Sequence, residues 1–173
     1  MIIYLSQDTN PSESPVVLWM QGGPGHSSLY GVFENNGPMN AIFKDGPTGP
    51  TKATLNPHSW HKIANMIYVD NPIGAGFTFS ESEVFHTTQS EVADDLYEFL
   101  HQFFTLFPDF KENYFYAMGE SYGGKWTTTI GKRIHDMNQI SDFKINLVGF
   151  GAASGFISLE DQAIYADYLY QVS

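Results

Sequence analysis

Two runs in this chain, Val16-Val17-Leu18-Trp19-Met20 and Met66-Ile67-Tyr68-Val69-Asp70, are apolar at almost every position. Successive side chains of a strand point to opposite faces, so such a run needs cover on both. A mostly parallel sheet layered between other elements provides that cover, and this places the chain in the α/β class. Each run ends in a breaker, Gln21-Gly22-Gly23-Pro24-Gly25 after the first and Asn71-Pro72-Ile73-Gly74 after the second. Further strands are expected at Met1–Leu5, Tyr114–Met118 and Asn146–Phe150, and a polar turn over Ser6–Pro15.

Helical spacing fills the gaps. Between Thr88 and Phe107 the apolar residues Val92, Leu96, Phe99, Leu100 and Phe103 recur with a helix period, and Pro108 closes the segment. Lys125–Met137 and Leu159–Tyr170 are the next expected helices, whereas Gly37–His58 reads as an irregular loop outside the core. No repeat, low-complexity tract or linker divides the 173 residues, so a single domain is expected. In sheets of this type sites gather at the carboxyl ends of strands.

Composition excludes several functions. Eight basic against 19 acidic side chains give a formal charge of −11, which argues against nucleic acid or an anionic membrane as partner. A solvated acidic surface accounts for the excess equally well. Cysteine is absent, so no disulfide framework can be read. No run is long enough to cross a bilayer, no signal peptide is visible, and Asn10-Pro11-Ser12 is disqualified as a glycosylation site by its proline.

Two segments carry chemistry. Gly119-Glu120-Ser121-Tyr122-Gly123 is a G-x-S-x-G element between an expected strand and an expected helix. In that context the serine sits on a sharp turn with its hydroxyl exposed, near a helix N-terminus, where the Tyr122 amide can face a developing oxyanion. The glycine pair Gly22-Gly23 follows a buried strand and offers unhindered amides for the other half of an oxyanion hole, although a plain strand-ending turn would look the same.

Three longer stretches widen the pattern: PVVLWMQGGPGHSS at 15–28, YVDNPIGAGFTFS at 68–80 and FYAMGESYGGK at 115–125. In order and spacing they resemble the serine carboxypeptidases of the α/β-hydrolase class, most of all the vitellogenic-type branch. The resemblance implies that Ser121 is the nucleophile and that Gly23 and Tyr122 form the oxyanion hole. It also implies that Gln21, Gly22, Glu120 and Asn35 bind the carboxylate of the substrate. A Glu donates to a carboxylate only when protonated, and as a helix-start acid Glu120 would equally complement the dipole. Asn35 stands where the family places a Glu; it can hydrogen bond but cannot share a titrating proton. Further departures are Trp126-Thr127-Thr128, Ala153-Ser154-Gly155, and His26 at a place often held by Cys.

The base is the missing part. A serine hydroxyl needs a histidine held by a carboxylate, and in this class the order is Ser, Asp, His. The only histidine after Ser121 is His135, in the same expected helix and roughly 20 Å away at 1.5 Å per residue. His26, His58, His61, His86 and His101 lie upstream; His26 is expected to line the site. His58 and His61 have no companion ligands, so no metal is expected.

The strands placed here fall short of a complete hydrolase sheet. Residues 1–173 are therefore expected to form a single incomplete α/β-hydrolase domain, with its C-terminal strands missing. The implied function is release of C-terminal residues from peptides or proteins through an acyl-enzyme. No cofactor is implied, and the location would be secreted, lysosomal or vacuolar. A C-terminal chain or segment would supply Asp and His. Two other readings stay open: a non-catalytic remnant binding peptide C-termini or a partner, and a serine carboxypeptidase-like acyltransferase.

Overall fold

A computed structural model describes residues 2–6, 9–44, 51–81, 85–163 and 165–172. Met1 of the first expected strand, part of the expected turn and loop, and residue 164 lie outside them. Five strands form the main sheet: β1 (Ile2–Leu5), β2 (Val16–Met20), β5 (Asn65–Val69), β6 (Phe115–Glu120) and β7 (Leu147–Ala153). Their spatial order is β1-β5-β2-β6-β7. The last four run parallel, and β1 pairs antiparallel with β5 at the edge.

The two apolar runs are the central strands, and their side chains divide between two layers. Val16, Leu18, Met20, Ile67 and Val69 face α1 (Gln89–Leu106) and α2 (Gly123–Ile140), packing with Leu96, Leu100, Ile130 and Ile134. Val17, Trp19, Met66 and Tyr68 face the other way, against Val32, Ala64 and Trp60. Both faces are thus covered, as a strand without polar positions requires. The Tyr68 hydroxyl donates to Asn36 Oδ1 over 3.0 Å, and burial pushes its pKa well above the usual tyrosine value.

Several boundaries differ from the expected ones for physical reasons. β5 starts one residue early because Asn65, fully buried, satisfies its side chain: Nδ2 donates to the carbonyls of Pro11 and Ser14 over 2.8 and 3.0 Å. β6 runs to Glu120 and β7 to Ala153 because the two strands stay paired to that point. α2 begins at Gly123, so the glycine pair opens the helix instead of preceding it.

The segment read as an irregular loop contains a hairpin. β3 (Met39–Phe43) and β4 (Thr51–Leu55) form a separate two-stranded sheet beside the core. It is preceded by a π-helical turn at Gly31–Asn35 that the sequence did not announce. The expected last helix is two, α3 (Leu159–Gln162) and α4 (Tyr165–Val172), with Ala163 closing the first. No helix among the described residues is long and apolar enough to cross a membrane.

Candidate active site

Strand register builds the site. Met20 pairs with Gly119, so the residues that follow, Gln21 and Glu120, leave adjacent strand ends side by side. The Gln21 amide nitrogen donates to Glu120 Oε2 over 2.8 Å. Trp19 Nε1 donates to Gln21 Oε1 over 3.2 Å, which fixes which end of the amide faces Glu120. Gln21 is 5% exposed, so this orientation is locked inside the protein.

Ser121 comes next, exposed, with φ 56°. A left-handed serine is uncommon and costs of the order of 1 kcal/mol, so the surroundings must hold it. They do: the Ser121 amide donates to the Ala153 carbonyl over 2.9 Å. Its carbonyl accepts from Phe156 N and Gly124 N over 2.8 and 3.0 Å. α2 begins two residues later, so its N-terminal dipole end points at this turn.

The glycine loop closes against the same turn. A Cβ on Gly22 would lie 2.7 Å from both the Glu120 carbonyl oxygen and the Tyr122 nitrogen. Only glycine permits that approach of backbone to backbone. Gly23 is exposed with φ 116°, beyond the reach of most side-chain-bearing residues. The structure therefore brings Gln21, Gly22, Glu120, Ser121 and Tyr122 together, with Gly23 in the adjoining exposed loop.

Tyr122 is held from three sides. Its hydroxyl accepts from Gln89 Nε2 over 3.2 Å, its ring stacks on Phe156 at 6.0 Å, and Lys125 Nζ sits 5.4 Å over it. Asn35 is exposed at the end of the π-helical turn. The hydrogen bond to Glu34, and then the Glu34 charge, raise the Tyr30 pKa above the usual tyrosine value.

Among the described histidines, His26 borders the glycine loop. It is exposed, and its ring approaches to 3.4 Å of a Cβ built on Gly23. His135 is exposed far along α2, His86 bonds to Asp95 over 2.6 Å, and His61 to Ser59 over 2.6 Å. Trp19 and Asp70 were missed as site residues from the sequence. Asp70 is buried at the end of β5, bonded to Ser27 and Ser28 in the return of the glycine loop. An acid closing an apolar strand was the available signal.

The family model for serine carboxypeptidases matches residues 2–173. This chain belongs to the serine carboxypeptidase family. The venom serine carboxypeptidase of Apis mellifera is 42% identical over 94% of this chain and 34% of its own length. The vitellogenic carboxypeptidase of Aedes aegypti is 41% identical over 98% of this chain and 34% of its own. The chain thus spans about a third of the length of these relatives. The crystal structure of a prohormone-processing carboxypeptidase from Saccharomyces cerevisiae superposes on 99% of the chain and 37% of that protein, with a TM-score of 0.85. At 24% identity that likeness speaks for the fold, a mostly parallel α/β-hydrolase sheet flanked by helices.

Proposed function

We propose that the native protein carrying residues 1–173 is a serine-type carboxypeptidase that releases C-terminal residues from peptides and proteins. The observation that carries this is the left-handed Ser121, with Gly22 pressed against its turn and the Gln21–Glu120 pair beside it. Family membership supports the same reading.

In this reading Ser121 Oγ adds to the carbonyl carbon of the last peptide bond. The amides of Gly23 and Tyr122 take the developing oxyanion. The C–N bond then breaks, the amine leaves with the proton taken from Ser121, and water later cleaves the acyl ester. Gln21, the Gly22 amide and, in its protonated form, Glu120 grip the substrate's terminal carboxylate, with Asn35 as a further donor. That grip makes the enzyme an exopeptidase, because an internal peptide bond has no carboxylate to offer. The histidine and aspartate that move the proton come from a further segment or chain. Passage through the secretory route, ending outside the cell or in a lysosome or vacuole, fits the venom relative.

A fluorophosphonate probe on the native protein tests the assignment, because it bonds only to an activated serine. The expected adduct maps to the peptide containing Ser121 and is absent from Ser121→Ala. Peptide binding that survives Ser121→Ala in a protein that never labels would establish the non-catalytic remnant instead. Transfer of the acyl group to an added alcohol in preference to water would establish an acyltransferase.

A further inference from the structure

The glycine loop has a positional problem. Its tip, Gly23-Pro24-Gly25, is exposed, and nothing lies within 4 Å of a Cβ built on Gly25. Yet an oxyanion hole works only when its donors are held before the charge develops. The loop is pinched by the His26 amide donating to the Gly22 carbonyl over 3.1 Å, and beyond that point it is held at its return, Ser27 and Ser28.

That return is bonded to one side chain. Asp70 Oδ1 accepts from Ser27 Oγ over 2.6 Å and from the Ser28 amide over 2.9 Å. Its other oxygen accepts from the Phe77 amide over 2.9 Å, and Thr78 Oγ1 donates to the Asp70 carbonyl over 2.9 Å. Ser28 Oγ donates to the Val69 carbonyl over 2.5 Å and accepts from the Gln21 amide over 3.1 Å. The return of the loop and the segment after β5 are thus drawn to one carboxylate, 4% exposed, and the Gln21 end is tied to that return through Ser28 Oγ. Gly76, with φ 55°, lets that segment close fully: a Cβ there would stand 2.5 Å from Asp70 Oδ2.

We infer that Asp70 is a positioning residue for the reaction, holding the Gly22-Gly23 amides and Gln21 in register with Ser121 through Ser27 and Ser28. Buried at 4% exposure, it acts through those serines. Its chemistry explains why an acid is needed. Both oxygens accept from N–H or O–H donors, and an amide can present an acceptor on one side only. Asp70→Asn therefore turns a donor toward either Phe77 or the Ser27–Ser28 return, whichever way it flips. Ser27→Ala removes one anchoring bond and leaves the buried carboxylate in place.

The inference rests on the carboxypeptidase reading, and the test separates the two. Release of an amino acid from an N-blocked dipeptide is measured with the native protein, alongside thermal unfolding, for wild type, Asp70→Asn, Ser27→Ala and Ser121→Ala. Asp70→Asn is expected to lower kcat per folded molecule about 100-fold with KM within about threefold, since misplaced donors are felt in the transition state. Ser27→Ala is expected to lower kcat per folded molecule about tenfold, with an unfolding temperature lowered by a few degrees because a hydrogen bond to a buried charge is lost. If Asp70→Asn does not fold, Ser27→Ala decides alone. Unchanged kcat in the folded variants, with only a lower unfolding temperature, overturns the positioning role. Turnover that survives in Ser121→Ala overturns the carboxypeptidase reading first, and this inference with it.

Discussion

At the scale of single residues, the site depends on backbone shape as much as on side chains. Ser121 holds a left-handed φ, and Gly22 fits because it has no Cβ to place against Glu120 and Tyr122. Those neighbours are main-chain atoms, which cannot swing aside. Gly22→Ala should therefore cost about 1–3 kcal/mol of stability through overpacking. It should also lower kcat about 100-fold by separating the loop from the Ser121 turn; steady-state kinetics beside thermal unfolding measure both. These positions were legible in the sequence because glycine and the serine motif mark unusual backbone. Trp19 bonding to Gln21, and Asp70 bonding to Ser27, were not. Asp70 and Ser27 are 43 residues apart, and only the β2–β5 register brings them together.

At the scale of elements, α1 shows local chemistry setting a boundary. Thr88 Oγ1 accepts from the Glu91 amide over 3.3 Å, and Glu91 Oε2 accepts from the Thr88 amide over 2.9 Å, a reciprocal cap. Thr88→Ala should cost about 1 kcal/mol in denaturant unfolding. The amides of Thr87 and Thr88 hold the Glu91 carboxyl below its usual pKa. A depressed carboxylate stabilises the fold above its ordinary pKa of about 4.3 and loses that effect as pH falls through the folded value. Glu91→Gln should thus lower the unfolding temperature at pH 6, and the gap to wild type should close as pH falls below about 4. The cap also serves the site, since Gln89, the first residue of α1, bonds to Tyr122.

Long periodic elements were readable, and short ones less so. The apolar runs and the period of α1 mark core elements directly. The β3–β4 hairpin was hidden because its strands lie outside the main sheet, half-buried or exposed, in a segment rich in Gly, Pro and Asn. α2 starts at Gly123-Gly124, two residues ahead of the expected Lys125. Both residues are buried in the first helical turn, where a side chain would strike Met20 or Ala152 and Gly155.

At the scale of the molecule, β7 closes one side of the sheet and pairs with β6 alone among the described strands. Val148 and Phe150 are 50% and 54% exposed along it. A bare edge carrying apolar side chains invites pairing with another chain. The isolated 173-residue polypeptide should therefore associate with rising concentration in sedimentation, and Val148→Lys should reduce that association. The same isolated polypeptide should not turn over substrate, since His135, the only histidine following Ser121, lies exposed far along α2.

The proposed cleavage of a chain's last peptide bond rests on Ser121, the glycine loop and the Gln21–Glu120 pair. Its most direct test follows the native protein acting on an N-blocked dipeptide and on the same dipeptide with its C-terminus amidated. The expected result is release of the C-terminal amino acid from the free acid, much weaker cleavage of the amide, and no release from either by Ser121→Ala. Equal cleavage of acid and amide, or release that persists in Ser121→Ala, would contradict it.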